Sequence, residues 1–128
     1  MSNAFQEELP LSITRIQPGP RMSQAVIHNQ TIYLAGQVAL DARGGSITEQ
    51  TKDVLSKIDA LLAEANSDKT KILSATIWLT DIALFPEMNA VWDAWVPEGN
   101  TPARATGVSP QLASPDFNIE ILIVAAQS

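Results

Sequence analysis

The sequence predicts an α+β domain in which two helices lie on one face of a mixed, mainly antiparallel sheet, in the order β-β-β-α-β-α-β-β. Three observations carry this prediction. Val54, Leu55, Ile58, Leu61, Leu62 and Ala65 recur at the spacing that gathers apolar side chains on one helical face. Residues 118–126 (NIEILIVAA) are nearly all apolar, as expected of a central strand or one covered on both faces. Two β-rich runs, residues 23–28 and 31–38, flank Asn29 and Gln30, a short polar link suited to a hairpin.

The remaining elements follow in order. Residues 11–16 (LSITRI) alternate apolar and polar side chains like a half-buried strand, and the Gln17-Pro18-Gly19-Pro20 stretch is expected to break it with a turn or bulge. Residues 41–45 read as a loop. Ser46 and Glu49 have the spacing of a capping box for the first helix, and Asn66 is its natural stop. Residues 71–82 form a long strand with Ile72, Ser74, Thr76, Trp78 and Thr80 on one face. Leu73, Ala75, Ile77 and Leu79 line the other, which reads as core. A shorter helix is predicted from near Pro86 to Trp95, with Met88, Trp92 and Trp95 on one stripe. Two strands close the chain, residues 104–112 and 118–126, read as a hairpin turning near residues 113–116. Two helices cover one sheet face only, so the other meets solvent or a second subunit. The apolar content of the later strands favours a subunit, and a sheet curled on itself is the rival.

A chain of 128 residues fits one domain. Residues 1–10 are read as a polar, acidic tail without functional weight, and residues 11–128 as the domain. Neither the start of the chain nor any later run has the pattern of a secretory signal or a membrane span, so a soluble, cytoplasmic protein without membrane contact is expected. The net charge is -6, which removes the usual driving force for nucleic-acid binding and argues against a ribonuclease. Cysteine is absent, excluding disulfides, thiolate metal sites and a cysteine nucleophile. No phosphate-binding glycine loop, zinc-spaced ligand set or nucleophile elbow is present, and the single histidine, His28, falls beside the hairpin turn, where a neutral role is expected.

Three residues remain as chemistry. Arg104 follows Pro102 where a loop meets a strand. Its guanidinium either forks onto a ligand carboxylate or pairs with one of the fourteen acids. Glu120 interrupts an apolar run, so its carboxylate is paired, exposed at an edge or held in a cleft as a base on water. Gly36 either leaves its N–H open to a ligand atom or marks a bulge. Trp78, Trp92 and Trp95 read most simply as core or interface aromatics.

The ordered fragments Ser23-Gln24-Ala25, Leu34-Ala35-Gly36-Gln37-Val38, Pro102-Ala103-Arg104 and Ile119-Glu120-Ile121, with the Phe85–Trp95 helix, resemble the RidA/YjgF family from about residue 11 to 126. The resemblance implies a chorismate-mutase-like homotrimer with ligand clefts between subunits and no metal or organic cofactor. It also implies hydrolysis of reactive 2-imino or 2-enamino acids to 2-keto acids and ammonia. By position, Arg104 resembles the residue that grips the substrate carboxylate, Gly36 a backbone donor, and Glu120 the group that orients or activates water. Asn89 and Trp92 match helix positions near the cleft. Two positions depart from the deaminase subgroup: Met22 stands where a tyrosine is common, and Thr106 where a cysteine is. Residues 112–115 look longer than in that subgroup. The competing reading is a non-catalytic trimer that binds a small carboxylate or a metabolic-enzyme partner. A hairpin of the last two strands would pair Arg104 with the chain end and Glu120 with about Pro110, placing the two about six residues, or ~20 Å, apart, so a shared pocket is expected to draw on neighbouring chains, with a strong bulge around Ser109-Pro110 as the rival.

Overall fold

The computed structural model describes residues 12–128, so the tail over residues 1–10 and the assignment of Leu11 to a strand lie outside the described residues. The sheet contains β1 (Ile13–Pro18), β2 (Ser23–His28), β3 (Thr31–Leu34), β4 (Gln37–Val38), β5 (Ile72–Leu79), β6 (Ala103–Val108) and β7 (Ile119–Ala126). Two helices, α1 (Ile47–Glu64) and α2 (Phe85–Trp95), cover one face. The spatial order is β1-β2-β3-β7-β5-β6, with β4 also on β7. All pairs are antiparallel except β5 with β6. This is the predicted α+β architecture, with the third strand split in two.

That split has a local cause. From Tyr33 to Gln37 the chain takes four steps while its partner β7 takes three, from Val124 to Ile121, so one extra residue bulges around Gly36. The buried Gln37 side chain holds the bulge by donating to Ala35 O and Gln24 Oε1. The β2–β3 hairpin turns on Asn29 and Gln30, both at positive φ, as a two-residue turn matching strand twist requires.

β1 runs through Gln17 and Pro18 instead of breaking before them, and the turn falls at Gly19–Met22, where Gly19 N–H meets Met22 O. Proline is tolerated because β1 is an edge strand whose outer side has no ladder bond to lose.

α1 begins with the Ser46/Glu49 capping box in full. It ends where Asn66 takes φ 64, letting Asn66 N–H reach Ala63 O and Ser67 N–H reach Leu62 O. Its stripe of Val54, Leu55, Ile58, Leu61 and Leu62 is buried against Ile121 and Ile123 of β7 and Ile77 of β5. Each such side chain contributes about 1.5–3 kcal/mol on burial, so Ile58→Ala alone would cost about 2–5 kcal/mol. Lys57 ties the following face of α1 to the loop after β4 through Asp41 and Asp53, at 2.7 and 3.0 Å.

Two sequence expectations are corrected. A bulge between Ile72 and Ser74 turns Ile72 into the core and leaves Leu73 exposed, opposite to the simple alternation. More consequentially, β6 and β7 are not a hairpin: β5 lies between them, parallel to β6 and antiparallel to β7. The reason is topological. A strand, helix and strand in succession, β5-α2-β6, supply the long crossover that parallel pairing needs, whereas residues 109–118 are far more than a tight turn.

Candidate functional site

Register decides where the site residues point. Arg104 pairs with Ala75, whose side chain is in the core, so Arg104 and Thr106 project to the helix side of the sheet. Glu120 pairs with Trp78, which is 39% exposed on the opposite, open face. Arg104 lies level with Ile123 rather than with the chain end, and Glu120 lies opposite Val38 and Trp78 rather than Pro110. The two therefore sit about 10 Å apart along the strands and about 10 Å across them, on opposite faces. One chain does not bring them into one hollow.

Instead there are two half-sites. On the open face, Gly36 and Glu120 are in direct contact: a Cβ built at Gly36 would lie 2.1 Å from Glu120 Oε2. The bulge thus serves as a slot for the carboxylate. The Trp78 ring lies against Gly107, where an added Cβ would meet it at 2.9 Å. Met22, 47% exposed, occupies the β1–β2 turn, next to the Ala35–Gln24 backbone bond and hence at the Gly36 end of the sheet.

The second half-site is the seam between β6 and α2. Phe85, Asn89 and Trp92 follow one another at i, i+4 and i+7 on one helical face. The Arg104 guanidinium carbon is 5.8 Å from the Phe85 ring centre and 5.3 Å from that of Trp92. Among the described residues Arg104 has no side-chain hydrogen bond and no ion pair, the ion-paired cations being Arg43 and Lys57. Arg15 and Arg21 are likewise without an ion pair, so what sets Arg104 apart is that its open donors are held against two aromatic rings. Asn89 Oδ1 and Thr106 Oγ1 are buried without a partner, two acceptors with nothing to accept from in the lone chain. Phe85 is the residue that sequence reasoning missed, although its helical spacing to Asn89 and Trp92 was available.

Two depressions of the described surface lie elsewhere. One, of about 770 Å³, runs beside the loop from Pro110 to Phe117. The other, of about 550 Å³, separates α1 from α2 beside Lys52, Val91 and Trp95. Neither touches Arg104 or Glu120, and Asn118, which borders the first, is already bonded to Gln50 and to Thr80. Among the described residues, no three His, Asp or Glu side chains converge as a metal site would require, and no helix is long and apolar enough to cross a membrane.

With this geometry described, comparison with known proteins is direct. The family model described as Endoribonuclease L-PSP matches residues 12–127. A RutC family protein of Haemophilus ducreyi is 45% identical over 114 residues, covering 89% of this chain and 96% of that protein. The chain belongs to the RidA/YjgF family. A YjgF family member from Neisseria meningitidis superposes with a TM-score of 0.88 at 44% identity, covering 92% of this chain and 97% of that one. A more distant family member, the 2-iminobutanoate/2-iminopropanoate deaminase of rat, is 34% identical over 88 residues, or 65% of this chain and 64% of its own length.

Proposed function

We propose that the protein hydrolyses small 2-imino or 2-enamino acids to 2-keto acids and ammonia, at clefts where Arg104 of one subunit faces Gly36 and Glu120 of another in a homotrimer. The observation that carries this reading is the uncommitted Arg104 fork, set against aromatic rings beside two orphaned acceptors. A carboxylate is the ligand such a fork takes best, by two parallel charge-assisted hydrogen bonds. The likeness to the rat deaminase supports the substrate class.

The chemistry asks little of the protein. The imine carbon is already electrophilic, so fixing the substrate and presenting water supply most of the advantage. Glu120 takes a proton from water as the water oxygen adds to the C=N carbon and returns it to the nitrogen, while Gly36 N–H donates to the bound substrate. The tetrahedral aminoalcohol then expels ammonia and leaves the keto acid, so one water is consumed per imine. No cofactor enters this balance. The acidic surface repels large polyanions while the cationic seam still admits a small acid, so nucleic acid is not the substrate in this reading despite the wording of the family description.

Because the two half-sites face opposite sides of one sheet, a second copy must complete each cleft. The open face suits that contact: Tyr33, Trp78 and Leu122 are all exposed there. Ammonia release from a freshly generated imino acid is the decisive assay. Arg104→Ala and Glu120→Ala should each abolish it, and subunits of the two variants exchanged one to one should recover about a quarter of wild-type activity, since a quarter of the shared sites then hold both groups. Equal rates in wild type and Arg104→Ala would remove the catalytic reading. Binding of a keto acid without turnover in wild type would favour a non-catalytic carboxylate binder.

A further inference from the structure

We infer that Phe85 is a positioning residue: with Trp92 it holds the Arg104 guanidinium in place before any ligand arrives, an inference that rests on the reading of Arg104 as carboxylate anchor. An exposed arginine ordinarily samples many rotamers and gives up that freedom on binding. Here no acid tethers the side chain, and the groups found against it are two aromatic rings, at 5.8 and 5.3 Å. Ring faces attract the cation without consuming its N–H donors, which lie in the guanidinium plane, so the fork is oriented and yet remains unspent. An acid partner would orient it and block it at once.

The two rings are held differently. Trp92 is buried and packs on Trp95, ring centres 5.3 Å apart and planes at 52°. Trp95 is fixed in turn, its Nε1 donating to Asp59 Oδ2 at 3.0 Å while Lys69 donates to its carbonyl at 2.7 Å. That ring is an immobile wall backed by α1. Phe85 is half-buried at the start of α2, immediately after the short turn Ile82–Leu84, and packs at the margin of the core, so it is the wall that can be altered with the smaller disturbance. Ordering the fork in advance lowers the cost of capture and acts on affinity, not on the chemical step.

The test uses Phe85→Leu, which keeps apolar volume but removes the ring, and Phe85→Tyr, which restores one. In the free protein, the Arg104 Nε–H resonance should be displaced by ring currents, move toward an ordinary arginine position in Phe85→Leu, and return in Phe85→Tyr. Titration with 2-oxobutanoate should show Phe85→Leu binding roughly two- to fivefold more weakly, with KM raised alike and kcat little changed. In an Arg104→Gln background, where no cation faces the rings, the same substitution should add nothing. An unmoved Nε–H resonance, or equal weakening in both backgrounds, or a lowered Tm at unchanged affinity, would each overturn the inference. Failure of the wild type to bind the keto acid would instead overturn the anchor reading, with the resonance still deciding whether the rings hold the arginine.

Discussion

At Gly36 the absence of a side chain is a steric requirement, because the space a methyl group would fill is taken by the Glu120 carboxylate. Gly36→Ala should push that carboxylate out of its slot and lower kcat roughly 10- to 100-fold with far-UV CD unchanged, the size expected when a base loses its position. Thr106 makes the complementary case. Its buried hydroxyl has no partner in the lone chain, a feature shared with Thr51 of α1, and on the proposed reading it is the bound substrate or the neighbouring subunit that satisfies it. Thr106→Val should therefore raise stability by about 1 kcal/mol, or a few degrees in Tm, while raising KM for the imino acid. These roles were only half legible in the sequence. Arg104, Glu120 and Gly36 stood out because a charge in an apolar run and a glycine in a strand each need a reason. Phe85 did not, because a phenylalanine near a helix start is ordinary until its ring is seen against a cation.

Individual elements followed the sequence where one local signal sufficed, as at α1, whose cap, stripe and stop were all readable. Ser46→Ala should cost about 1 kcal/mol there, measured by urea unfolding, through loss of the bond to Glu49 N–H. The Lys57 contacts are pH-dependent. Partial burial pulls its ammonium down, but the bonds and charges of Asp41 and Asp53 outweigh that and hold it above the ordinary lysine value of 10.5. A raised folded value means the stabilisation is complete below 10.5 and is lost as pH rises through the higher folded value. Lys57→Met should accordingly cost under about 1 kcal/mol at pH 7 and nothing in strong alkali, checked by unfolding at both. What the sequence hid at this scale was pairing. The last two strands looked like neighbours because they are consecutive, while the helix between β5 and β6 had already implied a parallel crossover. The bulge at Leu73 was equally hidden, since one added residue leaves no compositional mark.

For the molecule as a whole, the open face is the feature with the largest consequence. Tyr33, at 48% exposure, and Leu122, at 36%, share it with Trp78 and Glu120, an apolar surface that a monomer would leave in water. If the proposed trimeric deaminase is right, Leu122→Glu should shift the protein from trimer to monomer by light scattering and remove ammonia release, while the chain retains its far-UV CD. The architecture could be read from sequence because periodicity reports which faces are buried. The assembly could be read only as a need for cover, since periodicity does not say what provides it.

β6 is the outermost strand beyond β5, and hydrogen-bonded partners reach it from one side alone. A strand fastened along a single edge opens more readily than β7, which is gripped on both sides, so its amides should trade hydrogen for deuterium sooner. Arg104 rides on that edge strand. If Arg104 is the anchor proposed above, a captured acid should slow isotope uptake across residues 103–108, a signal that reports occupancy before any product is formed.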